Sequence, residues 1–104
     1  MKKFILLLLL LNKATTGHAS EMITGSVVVE ENTCKHRDYI VIYTNNGLVY
    51  AQVYSGSFDK DDVVIGEINS YGFKDVLVDG RSARLWIDDY WLTKEKAIAK
   101  CLDI

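Results

Sequence analysis

The sequence contains no proline. An average chain has about 5%, and the absence excludes polyproline linkers and polyproline ligand segments. Histidine and cysteine occur only twice each, with none of the C-x-x-C or H-x-x-x-H spacings of zinc sites. No metal or other cofactor is therefore expected. Long apolar runs are missing too. The longest covers residues 4–11, far short of the roughly 20 residues that span a bilayer. At 104 residues the chain accommodates one domain and excludes a doubly wound dinucleotide fold. Its 49% hydrophobic and 25% charged residues are those of a globular protein rather than a disordered one.

The apolar run has a context of its own. Lys2 and Lys3 precede it, and Gly17 and Ala19 supply small side chains just before Ser20. A basic n-region, a short apolar h-region and small residues at the cleavage point describe a secretory signal. The expected organisation is thus a signal peptide over 1–19 and a single domain over 20–104. Lys2, Lys3 and Lys13 fall in the first segment, which leaves nine basic against 14 acidic groups, a net −5. That balance argues against nucleic acid as a partner, because phosphate affinity rests on clustered Lys and Arg. Arg37, Arg81 and Arg84 are too dispersed to form a stripe. The mature chain has no membrane span, and the expected location is the bacterial periplasm or the exterior.

Cys34 and Cys101 both lie in the mature part. An even count in a short exported chain implies a disulfide, and two cysteines allow a single intramolecular pairing. His36 lies two residues from Cys34, but a Cys–His dyad would need a free thiol.

Beyond residue 22 the pattern is β. Residues 23–30, 39–44, 48–54, 62–68, 73–78 and 83–88 are short runs rich in β-branched and aromatic side chains. Gly47, Gly56, Gly66, Gly72 and Gly80 punctuate them, and Gly66, inside a run, predicts a bulge or sharp bend. Thr93 can cap a helix of about ten residues starting at Lys94. There Ile98, Cys101 and Leu102 form the apolar stripe. The expected fold is mainly β, a five- to six-stranded SH3-like (or OB-like) barrel with a short C-terminal α-helix. An OB-fold places its helix between the third and fourth strands, whereas the helical pattern here is terminal, which favours the SH3-like arrangement.

Asn46-Gly47 reads as a type I′ hairpin turn. The register that follows sets Tyr43 against Tyr50, Tyr39 against Tyr54 and Val41 against Gln52, with Ile40 and Ile42 on the opposite, core-facing side. Four tyrosines and Gln52 would then share one face. Three roles are open to it: cross-strand stabilisation, coverage by the helix, or recognition of a sugar or protein. Trp86 and Trp91, in the run 86–91 with Asp88 and Asp89, offer a second aromatic shelf or a barrel closure. Alternation sends Asp88 and Asp89 to opposite faces, so they form no acid–base pair. The run 59–62 is rich in aspartate but lacks the glycine and glutamate of an EF-hand loop, and reads as a solvated turn. No G-x-S-x-G elbow is present, and catalysis is not expected.

The stretch 69–75 and the later run 88–92 (SYGFKD and DDYWL within them) resemble segments of small uncharacterised bacterial exported proteins. The resemblance covers about the last 40 residues and implies no activity or site. The functional expectation is an exported, non-catalytic binding module that recognises a protein or a glycan. The candidate binding residues are Tyr39, Tyr43, Tyr50, Gln52, Tyr54, Trp86 and Trp91. The alternative is a self-assembling envelope or toxin-binding-subunit-like protein that uses the same face in a homo-oligomer.

Overall fold

The computed structural model describes residues 21–104, so the signal-peptide reading of 1–19 lies outside the described residues. Six antiparallel strands close into a barrel in the order β1-β2-β3-β6-β5-β4. They are β1 (Ile23–Val29), β2 (Tyr39–Thr44), β3 (Gly47–Ser55), β4 (Val63–Gly66), β5 (Gly72–Val78) and β6 (Arg81–Leu92). Helix α1 (Lys94–Leu102) follows, as the terminal helical pattern implied. Two three-strand meanders, β1–β2–β3 and β4–β5–β6, meet along β3–β6 and β1–β4. No helix interrupts the connection at 56–62.

The lumen is filled by alternate residues of each strand, among them Ile40, Ile42, Ala51, Leu85 and Ile87, all fully buried. Phe58 and Ile68 lie outside the strands yet are also buried and help to fill the same lumen. Carboxylates of the β1–β2 connection fix the Phe58 loop. Glu31 accepts from the Phe58 N–H at 3.0 Å, and Glu30 accepts from the Lys60 N–H at 2.9 Å.

The β2–β3 hairpin keeps its expected core face but not its expected turn. The turn is Asn45-Asn46, and Thr44 pairs with Gly47. Neither asparagine has positive φ, so the turn is not type I′. One local and one long-range contact hold it there. Thr44, buried at the corner, donates its hydroxyl to the Gly47 carbonyl at 2.7 Å and accepts from the Asn46 N–H at 3.1 Å. Gly47, at φ 134°, lies so close to β6 that a Cβ would sit 2.8 Å from the Trp91 Cα. The type I′ signature occurs instead at Asp79-Gly80, with φ of 48° and 83°, joining β5 to β6.

Gly66 carries no bulge; it ends β4, where a Cβ would meet Val76 Cγ1 at 2.5 Å. Bulges fall in β1 between Val27 and Val29 and along the β3–β6 seam. Trp91, at φ 54°, takes a backbone conformation rare for a bulky residue.

Helix α1 begins as expected, with Thr93 Oγ1 accepting from the Lys96 N–H at 3.3 Å. Its buried residues are Ala97 and Cys101. The disulfide Cys34–Cys101 forms and turns the helix so that small side chains face the barrel. Ile98 and Leu102, expected in the buried stripe, are left 44% and 50% exposed.

Candidate functional site

The outer surface of β2, β3, β6 and β5 carries the aromatic residues, and α1 divides it. Under the helix, Cys34, Val41, Tyr50, Leu92, Ala97 and Cys101 form a second apolar cluster separate from the lumen. Tyr50 is only 4% exposed and stacks on Tyr39, ring centroids 4.5 Å apart and 18° between planes. Lys100 Nζ lies 5.7 Å from the Tyr50 ring centre. The shifted turn sets Val41 opposite Tyr50, Tyr43 opposite Leu48 and Tyr39 opposite Gln52. The expected tyrosine pairs across the hairpin are therefore not made, although a slip of two residues keeps all of them on one face. The helix covers Tyr50 and part of Tyr39, while Tyr43 and Tyr54 are 51% and 54% exposed at either end of the face.

Burial sets the chemistry of the covered part. Desolvation, with repulsion from Tyr39 and Asp88 added, pushes the Tyr50 phenol up to about 12. The Tyr39 phenol rises for the same leading reason. A polar hollow of about 240 Å³ lies beside them, lined by His36, Tyr39, Tyr50, Asp88, Lys100 and Asp103. Its charges are paired: Asp103 lies 3.6 Å from Lys35 Nζ and 3.7 Å from His36 Nε2. Lys100 Nζ lies 3.9 Å from Asp88 and 3.7 Å from Asp89. Those two carboxylates were expected on opposite faces. The register shift between Tyr50↔Asp89 and Ala51↔Ile87 breaks the alternation and brings both to one lysine. No group of three or more potential metal ligands is found among the described residues.

The uncovered part is a contiguous aromatic strip across three strands. The Asp79-Gly80 turn sets Phe73 opposite Trp86, and their rings meet edge to face at 4.8 Å and 77°. Tyr54 approaches Phe73 from β3 at 4.6 Å and 87°. Phe73 is 48% exposed, and the Arg84 guanidinium lies over its ring at 5.6 Å. Arg84 also donates to Asp75 at 3.1 Å, and Gln52, opposite Trp86 on β3, donates to Asp38 at 2.6 Å. An apolar strip is thus bordered by fixed donors and acceptors.

Trp91 does not join this strip. It packs with Tyr90 against the lumen residues, the two rings 5.5 Å apart, and Tyr71 leans on Tyr90 at 4.9 Å. Phe73 and Arg84 escaped the sequence reading. The signal for both was the Asp-Gly dipeptide at 79–80, from which the β5–β6 register can be counted outward. No family model, no curated protein and no solved structure matches the chain.

Proposed function

We propose that the protein is an exported, non-catalytic binding module, an SH3-like barrel that recognises a protein or a glycan through Tyr54, Phe73 and Trp86. The observation that carries this reading is the strip itself. Three rings from three strands interlock edge to face on the solvent side of a closed barrel, with two of them about half exposed. Such rings are rigid and lose little side-chain entropy on contact, which favours them at recognition surfaces. Arg84, Asp75 and Gln52 border them with polar groups already oriented by hydrogen bonds. The disulfide is in keeping with an oxidising compartment.

The test is capture from envelope extract by the oxidised protein, with Tyr54→Ser/Phe73→Ser as the comparison. Both positions are about half exposed, so the variant should keep its far-ultraviolet circular dichroism and a cooperative thermal transition while capture disappears. Protease or periodate treatment of the extract then separates protein from glycan. Capture that survives the double substitution places the site elsewhere. A dimer in sedimentation that the same variant dissociates would favour self-assembly through the strip.

A further inference from the structure

A second surface stands apart from the aromatic strip and shares no residue with it. The bulge in β1 between Val27 and Val29 turns both Val28 and Val29 to the outside, where alternation would expose only one. Across from them α1 presents Ile98 and Leu102, the two large aliphatic residues that its disulfide-set orientation leaves half exposed. Between these walls runs a groove of about 340 Å³, floored by Val41, Ala97 and Cys101. It opens into a neighbouring hollow of about 440 Å³ that shares Val28, Leu48 and Lys94 and reaches Tyr43 and Leu92. Each volume lies in the range of ligand sites, about 300–1,000 Å³.

The lining is chemically one-sided. Apart from Thr33 and Lys94, every side chain along the groove is apolar, and no acidic residue lines either hollow. Lys94 borders both with its methylene stem, leaving its ammonium at the solvent edge, and it has no ion-pair partner among the described residues. We infer that this groove binds a free long-chain carboxylate, its acyl chain laid along Val28, Leu48, Ile98 and Leu102 and its carboxylate at Lys94. The lone cation is what selects this occupant. A second copy docked about a two-fold axis would bring a second Lys94 to the same seam, with no acidic lining residue to receive either. An extended peptide would need main-chain partners, but the barrel is closed and the helix satisfies its own backbone. An acyl chain needs none, and its one charged end is the complement of Lys94.

The experiment is displacement of cis-parinarate fluorescence from the oxidised protein, with octanoate, decanoate, dodecanoate and dodecanol as competitors below their micellar concentrations. Saturable, equimolar binding is expected, and each added pair of methylenes should tighten it by about four- to fifteenfold. Lys94→Glu places an acid in the first turn of the helix, where it suits the dipole, so the fold is retained. It should weaken dodecanoate by about tenfold or more and leave dodecanol within about twofold. Ile98→Asp on one wall and Val28→Asp on the other should each abolish binding of both competitors. The thermal midpoint of each variant shows whether it has folded, and two independent walls keep the test decisive if one fails. The inference is overturned by non-saturable uptake, by equal losses of acid and alcohol in Lys94→Glu, or by binding that survives both wall substitutions. It is equally overturned if the protein ignores free acids but floats with phosphatidylglycerol vesicles, or if it sediments as a dimer that Ile98→Asp dissociates.

Discussion

Replacing both cysteines, Cys34→Ala with Cys101→Ala, separates what the disulfide does for the barrel from what it does for the helix. The two residues are 67 apart in sequence, and loop-closure entropy for a ring of that size amounts to about 4 kcal/mol. Small domains have a net stability of about 5–15 kcal/mol, so the barrel should survive with a thermal midpoint lower by roughly 15–30 °C. The helix should fare worse. Its buried contribution is Ala97 and Cys101, two small side chains, and a helix of nine residues is marginal in water by itself. None of the lumen residues comes from α1 or from the Cys34 loop, so the barrel core does not depend on the helix being docked. Hydrogen exchange on the double variant is the assay. Amides of residues 97–102 should open with a free energy within about 1 kcal/mol of zero, while those of β2 and β6 report whatever global stability remains. Helix amides that exchange as slowly as the strand amides in the variant would refute the reasoning. They would show that side-chain packing holds α1 without the covalent link.

The remaining predictions concern single positions. Gly47→Ala combines a positive φ with a Cβ 2.8 Å from the Trp91 Cα and should cost about 2–4 kcal/mol by urea unfolding. Thr44→Val removes the acceptor of the Asn46 N–H and the donor to the Gly47 carbonyl, a loss of about 1–3 kcal/mol in the same assay. Tyr50 is more basic folded than unfolded, at about 12 against 10.0. Its contribution to stability is therefore complete below pH 10 and is lost as the pH rises towards 12. Tyr50→Phe should flatten that alkaline slope and remove the highest-pH component of the ultraviolet titration. Phe73→Ala breaks two edge-to-face pairs, each worth about 0.5–1.5 kcal/mol beyond area. A variant as stable as the parent would mean that the strip is not packed in solution.

Much of the fold was legible because it rests on period. Leu85 and Ile87 alternate with Arg84, Trp86 and Asp88, while Ile40 and Ile42 flank Val41, which belongs to the cluster under the helix; all four lie in the lumen as a two-residue period demands. The six strands, the terminal helix and the Cys34–Cys101 link follow from the same local patterns. What could not be read depended on a distant partner. The β2–β3 turn moved because Gly47 must pass close to Trp91 on β6, a contact that no window around Asn46 contains. The helix seats Ala97 beside Cys101 and leaves Ile98 and Leu102 half exposed, a rotation that the stripe, which itself contains Cys101, does not specify. Asp88 and Asp89 met at Lys100 because a bulge interrupts the alternation. The aromatic strip was half visible. Tyr54 and Trp86 stand out as aromatic residues in their own strands, whereas placing Phe73 beside them requires the β5–β6 register that the Asp79-Gly80 turn sets.

The barrel's division into two meanders has a topological consequence. Each half is one uninterrupted stretch of chain, and only residues 56–62 pass between them. Two copies that opened at this hinge could trade halves and rebuild both seams, the usual route to a domain-swapped dimer. The disulfide crosses the same divide, since Cys34 belongs to the first half and Cys101 follows the second. In the oxidised monomer each half is thus leashed to its own partner, and exchange requires that the leash be cut or tied between copies. A swapped dimer of this chain would therefore be covalently locked once oxidised, its two disulfides recording the moment at which the halves were exchanged.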